Sequence, residues 1–367
     1  MKKWIKRILA ALLILVLVCV LAFCGLYLGR FKTLASIRKV SAYEDGYNLY
    51  RMDIKYDYSL DDIIASGITN DQSMVDAIVK EALPLLPVSI KAPSFGCTAF
   101  TMHDTDGDIH MGRNYDFKDD TSAMLVYCTP KGGYKSVALA ALNNISANTP
   151  DASTKQKLSA LTAPFVCLDG MNEKGVSIAV LTLDSAPTRQ STGKPVISTT
   201  LAIRLVLDRA ATTQEAVDLL KGYDMFASSG RDYHFYITDA SGDGRVIEYD
   251  CDDPARGLVE TKTEAVTNFF VMYKDKVLPN QKNGIYGHGR ERYDAVLNVF
   301  QASAAHANDT AWQALQAAAQ DPNPQDITSN TQWSLNYNNT DLTVEIVLRR
   351  HWQDIFRYEL NGNQIQQ

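Results

Sequence analysis

The feature that most restricts the architecture of this chain is an uninterrupted apolar run near its N-terminus. Residues 8–29, ILAALLILVLVCVLAFCGLYLG, contain no charged side chain, and four of the first seven residues are lysine or arginine. A helix of this length matches the roughly 30 Å of hydrocarbon in a bilayer, and a soluble helix is rarely apolar on every face. The run therefore predicts one transmembrane helix within residues 1–30.

Two interpretations of this helix stay open. Because the hydrophobicity continues beyond Ala22, we favour a signal anchor that remains in the chain; the alternative is a signal peptide cut after Ala22. Lipid attachment at Cys24 is disfavoured by the bulky Phe23 before it. Basic residues flank the run on both sides, yet the short charged head favours a cytoplasmic N-terminus. We expect a single-pass protein of the cell membrane with its body outside the cytoplasm, or a secreted body.

Composition excludes several other classes of protein. The net charge of −6 and the lack of a basic face beyond the N-terminus argue against a nucleic-acid partner. Only four of the six cysteines lie outside the apolar run, too few for a disulfide scaffold in a chain of this length. No CxxC, HExxH, GxSxG, P-loop or GxGxxG motif is present, so neither a metal nor an organic cofactor is predicted.

The remaining chain divides at Cys97 into a lead-in and a strand-rich part. Residues 31–96 are mostly polar and partly helical, with a helix predicted over 71–86. Beyond them, strands come in blocks and helices in pairs, which favours antiparallel sheets covered by helices, an α+β fold. Strands are predicted at 97–103, 109–114, 123–128, 135–142, 176–183, 234–239, 245–249, 265–271, 332–337, 342–349 and 355–360, and helices at 199–210, 212–223, 289–304 and 309–320.

Cys97 heads the segment with the most suggestive chemistry. "CTAFTMH" and "IHMGRN" flank the turn-forming "DTDGD", which predicts a hairpin rather than a calcium loop. The return strand would bring Arg113 and Asp116 beside Cys97. If the Gly96–Cys97 bond were cut, the new α-amine, with an ordinary pKa of about 7.7–8.0, would suit a general base. Arg113 could favour the thiolate, and Asp116 could orient the new ammonium group.

Five blocks in this order resemble the choloylglycine hydrolase, or linear amide C–N hydrolase, family, which includes bile salt hydrolases, penicillin V acylases, acid ceramidase and N-acylethanolamine acid amidase. The blocks are "CTAF…DGDIHMGRNYDF", "LDGMNEKGVSIAVLTL", "AVTNFF", "GHGRERYDAV" and "TQWSLNY", and together they cover about residues 90–360. The resemblance implies the four-layer αββα sandwich of N-terminal nucleophile hydrolases. It divides the chain into an anchor or signal at 1–30, a propeptide at 31–96 and a catalytic domain at 97–367.

The resemblance also implies residue roles. Cys97 would be the nucleophile, assisted by Arg113 and Asp116. Asn268 would bind the oxyanion, and Arg292 matches a late active-site arginine, with Arg290 as the alternative.

Two further positions come from the "DGMNEKG" block and the strand after it. Where bile salt hydrolases carry a second oxyanion asparagine, this chain has Thr182, whose backbone N–H could still donate. Asn172, inside the block, is a candidate substrate contact, although a role in stabilising the turn before the strand is the simpler interpretation.

The expected activity is hydrolysis of a linear, non-peptide amide through a Cys97 thioester, with a small N-acyl amide as substrate. An acyltransferase that passes the acyl group to an amine is the first alternative, and a non-catalytic surface binding module is the second. Family members often form dimers or tetramers, so a homo-oligomer is possible. The membrane is contacted only through the N-terminal helix.

Overall fold

The computed structural model describes residues 2–85, 96–303 and 308–365. The helices within these residues are α1 Lys2–Ser36, α2 Leu60–Ala65, α3 Asp71–Ala82, α4 Thr154–Ser159, α5 Thr199–Arg209, α6 Thr213–Lys221, α7 Arg290–Ala302 and α8 Asn308–Ala317. The strands are β1 Arg38–Lys39, β2 Leu49–Asp53, β3 Gly96–His103, β4 Ile109–Asp116, β5 Ala123–Cys128, β6 Ser136–Ala141, β7 Cys167–Asn172, β8 Ser177–Leu183, β9 Val196–Ser198, β10 Asp224–Phe226, β11 Asp232–Thr238, β12 Arg245–Tyr249, β13 Leu258–Lys262, β14 Ala265–Val266, β15 Thr331–Asn338, β16 Thr343–Leu348 and β17 Phe356–Glu359.

Two large sheets form the centre of the molecule. One has nine strands in the order β1-β2-β5-β6-β7-β8-β11-β12-β13, and the other has six in the order β14-β3-β4-β15-β16-β17. Within these two sheets every strand pair is antiparallel except β2 with β5. Their inner faces share one apolar core, in which Tyr115 and Trp333 stack with ring centres 4.1 Å apart. The site described below lies between these two sheets.

Helices cover both outer faces. The helix α5, buried except for Arg209, packs on β7 and β8, with α6 beside it. On the smaller sheet, α7 and α8 enclose a second apolar cluster that includes Phe100, Val296 and Leu315. The layer order is helix, sheet, sheet, helix, so the predicted αββα sandwich is confirmed.

The hairpin predicted at Cys97 is present as β3 and β4. The register pairs Cys97 with Tyr115, and Phe100 with Gly112. A Cβ at Gly112 would lie 2.0 Å from the Phe100 ring, so only glycine allows this ring to cover the facing strand. Gly112 thereby fixes the neighbouring Arg113 on the inward side of the sandwich, where it is fully buried.

The lead-in contributes more to the fold than predicted. It is partly helical, as predicted, through α2 and α3, but it also supplies β2, which pairs in parallel with β5 over five residues. Leu49, Tyr50 and Met52 have no exposed surface. The strand was missed because "LYRMD" is short and carries two charged residues. The predicted helix at 71–86 is observed as α3, with a capping box between Asn70 and Ser73, and residues 86–95 lie outside the described part.

The N-terminal helix is longer than predicted. Residues Lys3–Ser36 form one helix long and apolar enough to cross a membrane, by length and composition. Its last turns, however, pack on the body: Tyr27 and Thr33 are buried, and Arg30 Nε donates to the Ala82 carbonyl at 2.7 Å. The helix therefore enters the folded body directly.

Most other elements match their predictions within one to three residues, with one clear departure. The strand predicted at 265–271 ends at Val266, and a 3-10 turn over Val271–Lys276 follows. Glu248, fully buried, accepts the backbone N–H groups of Val271 and Met272 at 2.7 and 3.0 Å. Asn268 therefore lies beyond the end of β14, outside the backbone pairing of β14 with β3.

Candidate active site

Cys97 sits at the start of β3, the second strand of the smaller sheet. It is completely buried, and its backbone N–H donates to Asn268 Oδ1 at 3.1 Å. This nitrogen belongs to the Gly96–Cys97 peptide bond. The atom that would become an α-amine after cleavage thus already has a side-chain acceptor.

Arg113 reaches Cys97 from the neighbouring strand. Its guanidinium lies close enough to the Cys97 thiol to lower the pKa of that thiol, and its NH2 group donates to the Val180 carbonyl of the opposite sheet at 3.0 Å. Burial lowers the pKa of Arg113, but the neighbouring Cys97 and Asp169 together hold it above its ordinary value. The site therefore holds a permanent cation beside the sulfur.

Asp116 ends β4 and is also fully buried. Thr331 Oγ1 donates to one carboxylate oxygen at 2.7 Å, and Gln320 Nε2 donates to the other at 3.0 Å. Burial raises the pKa of Asp116, while the Arg292 cation, 3.6 Å away, opposes this shift. The structure brings together Cys97, Arg113 and Asp116, as the hairpin spacing predicted.

Arg292 and Asn268 form the third side of the site. Arg292 NH1 donates to the Cys97 carbonyl and to Thr98 Oγ1, both at 3.0 Å, and NH2 donates to Asn268 Oδ1 at 2.8 Å. Gly289 allows this approach, because its φ is +84° and a Cβ there would lie 2.3 Å from the guanidinium.

Arg290, the alternative to Arg292, faces elsewhere. It pairs with Asp294 at 2.9 Å on its own helix and donates to the Lys274 carbonyl. Between the two arginines, Arg292 is the one that contacts the Cys97 segment.

Thr182 is connected to the site by a hydrogen bond with Asn268. The Thr182 carbonyl accepts from Asn268 Nδ2 at 2.9 Å, whereas its hydroxyl donates to the Asp232 carbonyl at 3.3 Å. The threonine side chain is thus engaged with β11, and only the backbone of Thr182 lies toward the Asn268 amide.

Asn172 is occupied by structural contacts. Its Oδ1 accepts the N–H groups of Lys174 and Val176 in the turn between β7 and β8, and its Nδ2 donates to the Leu207 and Ala210 carbonyls at the end of α5. These bonds match the turn-stabilising interpretation, and the predicted role in substrate contact stays a prediction.

The thiol itself is held in its neutral form in the uncut chain. Burial raises the pKa of Cys97 to about 12; Arg113 opposes this shift and Asp116 adds to it. At neutral pH the buried sulfur is therefore protonated, and its own amide nitrogen cannot act as a base. A nucleophile of this kind needs a further change before it reacts.

Four side chains that the sequence analysis did not single out complete the site: Thr98, Asp169, Gln320 and Thr331. Asp169 offered a signal, since a lone acidic residue in the apolar run "APFVCLDGM" must be paired once it is buried. Gln320 gave none, because it comes from the segment after α8, far away in sequence.

One cluster outside this site has ligand-type side chains. Asp104, Asp108 and His110 place oxygen and nitrogen atoms within 4.8 Å of one another in the β3–β4 turn. Asp104 already accepts from the backbone of Asp106 and Asp108 and contacts His110 Nε2 at 3.0 Å. These bonds account for the acidic residues as turn formers, in line with the prediction of a hairpin.

Comparisons with known proteins find a family and individual proteins that are similar to this chain. The family model described as linear amide C–N hydrolases, choloylglycine hydrolase family, matches residues 97–254. Asn268 and Arg292 lie beyond the matched residues. A curated relative, penicillin V acylase from Pectobacterium atrosepticum, is 29% identical over 188 residues, which are 46% of this chain and 48% of that protein. The match thus spans about half the length of this relative.

Solved structures share the fold. Penicillin V acylase from Agrobacterium tumefaciens aligns with a TM-score of 0.53 at 18% identity, covering 72% of this chain and 86% of that one. A mutant of conjugated bile acid hydrolase from Clostridium perfringens aligns with a TM-score of 0.54 at 15% identity, covering 74% and 97%. The sequence match and the fold lead to one conclusion: residues 97–254 are similar to the choloylglycine hydrolase family of linear amide C–N hydrolases, and the chain shares the fold of a solved penicillin V acylase and a solved bile acid hydrolase.

Proposed function

We propose that this protein is a cysteine amidohydrolase that cleaves the linear amide bond of a small N-acyl substrate after the chain is cut between Gly96 and Cys97. The observation that carries the proposal is the set of groups gathered around Cys97. One arginine approaches its sulfur, one asparagine accepts from its nitrogen, and a second arginine holds its carbonyl.

Cleavage of the Gly96–Cys97 bond would supply the missing base. Hydrolysis of this amide gives a carboxylate on Gly96 and an α-amine on Cys97, whose ordinary pKa is about 7.7–8.0. The amine accepts the thiol proton, and Arg113 stabilises the thiolate that results. Asp116, buried beside them, would balance the positive charge of the ammonium group.

The thiolate would then attack the carbonyl carbon of the substrate. Asn268 Nδ2 carries two hydrogens, of which the Thr182 carbonyl takes one, so the other is free for the oxyanion. The Thr182 backbone N–H is the second proposed donor. As the tetrahedral intermediate collapses, the α-ammonium gives its proton to the leaving amine and a thioester remains on Cys97. Water, deprotonated by the α-amine, cleaves this thioester and restores the thiol.

The relatives suggest substrates for a first screen. Their names concern penicillin V and conjugated bile acids, both N-acyl amides. Thr182 stands where bile salt hydrolases have an asparagine, which suggests a different acyl pocket. With a basic head before the apolar helix, we propose that this site works outside the cytoplasm at the membrane surface.

The test begins with the N-terminal sequence and intact mass of the full-length purified protein, beside Cys97→Ala and the matched control Cys128→Ala, a buried thiol remote from the site. We expect a chain that starts at Cys97 in the wild type and the control, and not in Cys97→Ala. Penicillin V, a glycine-conjugated bile acid and an N-acylethanolamine would then be assayed for amide hydrolysis. Added amines would reveal acyl transfer.

The proposal would be contradicted if the wild type stays uncut on its own and shows no amidase activity even after an added protease has cut it before Cys97. In that case the fold would act as a binding module. A cut chain that forms N-acyl products only when an amine is added would instead indicate an acyltransferase.

A further inference from the structure

We propose that Asp169 is a positioning residue of this active site, which holds the Arg113 guanidinium against Cys97 from the opposite sheet and balances its charge. The inference deepens the proposed function and rests on it. Asp169 lies on β7 of the nine-stranded sheet, whereas Cys97 and Arg113 lie on β3 and β4 of the other. The pair therefore crosses the interior of the sandwich.

The contact is buried and specific. Arg113 Nε lies 3.3 Å from Asp169 Oδ2, and neither side chain is exposed. The rest of the guanidinium is also held, since NH1 donates to the Asn114 carbonyl at 2.8 Å and NH2 to the Val180 carbonyl at 3.0 Å. These three acceptors hold the guanidinium in its orientation beside the sulfur.

Asp169 is itself fixed by two aromatic donors of β15. Trp333 Nε1 donates to Oδ2 at 3.2 Å, and Tyr337 OH donates to Oδ1 at 3.0 Å. The Trp333 ring in turn stacks on Tyr115, the strand partner of Cys97. The carboxylate thus connects Arg113 to β15, whose Trp333 ring packs on the Tyr115 ring next to Cys97.

Charge gives Asp169 a second role. The charged or titratable groups around Cys97 are Arg113, Tyr115 and Asp116 of β4 and Arg292 of α7, and Tyr233 of β11 lies near Tyr115. Around Asp169 they are Arg113, Tyr337 of β15 and Cys167 of its own strand, with Trp333 as a neutral donor. Asp169 is therefore the carboxylate that offsets Arg113 on the side away from the sulfur.

An asparagine at position 169 separates charge from geometry. The amide oxygen can accept from Arg113 and Trp333, and the amide NH₂ can face Tyr337, whose hydroxyl also accepts. Asp169→Asn therefore removes the charge and keeps the bonds. Asp169→Leu removes both, so Arg113 loses its fixed orientation.

The experiment measures the rate of Cys97 alkylation by iodoacetamide against pH, read by peptide mass spectrometry. All variants are compared in the same processing state. In Asp169→Asn we expect the rise of the rate to move to lower pH by roughly 1 unit, because the uncompensated cation favours the thiolate. In Asp169→Leu we expect the alkylation rate at pH 8 to fall by roughly 10-fold, and we expect no movement of the pH profile to lower pH.

Asp208→Asn is the matched control, since Asp208 forms a buried ion pair with Arg204 at 2.8 Å in the outer helical layer. It removes an equal buried charge and should leave the Cys97 profile unchanged. The test is completed by comparing the single variant Arg113→Gln with the double variant Arg113→Gln/Asp169→Asn. This comparison also tests the inference if Asp169→Asn alone does not fold. The two should give the same profile, because Asp169 acts through Arg113.

A Cys97 profile in Asp169→Asn that coincides with the Asp208→Asn profile would overturn the inference, as would different profiles in the two Arg113→Gln variants. This readout needs no substrate. If it succeeds while no amide is hydrolysed, the proposed function fails and the positioning role stands. If amides are hydrolysed and the profile does not move, the inference alone fails.

Discussion

Arg290 and Arg292 are two residues apart on one helix, and their surroundings differ completely. Arg292 is buried and touches Cys97, Asn268 and Asp116, whereas Arg290 bonds Asp294 at the helix surface. Position on the helix decides this difference, because a step of two residues turns the side chain by about 200°. Gly289 then lets Arg292 fold back toward the sheet.

We predict that Arg292→Gln lowers kcat/KM for amide hydrolysis by at least roughly 100-fold, because Asn268 and the Cys97 carbonyl lose their common donor. It should also destabilise the fold by about 3–5 kcal/mol, since Asp116 keeps a buried charge without its partner. Steady-state kinetics and thermal unfolding measure the two effects. Arg290→Gln is the control and should stay close to the wild type; equal losses in both variants would contradict the assignment.

Cleavage should also change the reactivity of Cys97. In the uncut chain the pKa of this thiol is about 12, so alkylation at pH 8 should be slow. A new α-ammonium beside the sulfur favours the thiolate, and the rate should rise by roughly 10-fold or more. A short pulse of iodoacetamide, read by mass spectrometry on cut and uncut species of one sample, measures this ratio. A ratio near one would contradict the prediction.

Sequence reasoning at this scale worked where residues are close along the chain. Cys97, Arg113 and Asp116 share one hairpin, so their spacing alone predicted that they meet. Asn268 and Arg292 were found only through resemblance, because nothing local indicates that a residue 171 positions away accepts from the Cys97 amide. Gln320 was missed for the same reason, as its contact with Asp116 depends on how α8 packs.

Among the elements, β2 has the largest consequence. It belongs to the lead-in, yet it is inserted between β1 and β5, with its residues from Leu49 to Met52 buried. Buried strand pairing of this kind does not need a covalent link between the strands. After a cut before Cys97, the lead-in would therefore remain bound to the catalytic chain.

We predict that cut protein shows two bands in denaturing gels and one peak in native size-exclusion chromatography. Met52→Asp, which buries a charge in the β2–β5 contact, should separate the two chains or prevent folding, while the exposed Glu44→Gln should not. Elution of a stable catalytic chain without the lead-in would contradict this prediction.

The sequence predicted most elements because their periodicity and caps are local signals. The side chain of Thr212, for example, accepts from the Glu215 N–H at the start of α6. Strand β2 lacked such a signal, since its burial depends on a partner 74 residues later. The end of β14 at Val266 was also not predictable, because Glu248 draws the following backbone away from the sheet.

At the scale of the whole molecule, α1 is one continuous helix whose apolar part runs without a linker into last turns that pack on the body. Arg30 Nε donates to the Ala82 carbonyl, and the Lys55 and Asp53 backbone N–H groups donate to Thr33 and Ser36. A signal peptidase cut after Ala22 would leave these last turns on the body. Both interpretations of the N-terminus are thus compatible with the contacts of residues 27–36.

We predict that a chain starting at Gly25 unfolds at a higher temperature than one starting at Arg38. The shorter chain loses the bonds of Arg30, Thr33 and Ser36 and uncovers part of α3, a loss of a few kcal/mol that corresponds to a Tm lower by roughly 5 °C. Thermal unfolding of the two chains, with a Gly25 chain carrying Arg30→Gln as an intermediate case, measures it. Identical Tm values would show that the helix end contributes nothing.

The position of β2 has one more consequence for the cut protein that we propose. The apolar helix and β2 lie on one side of the Gly96–Cys97 bond, and Cys97 lies on the other. If α1 spans a membrane, a cut at that bond would make the attachment of the catalytic chain noncovalent, a dissociation equilibrium governed by the β2–β5 contact and the packing around it. The lifetime of the enzyme at the membrane surface would then equal the lifetime of that contact.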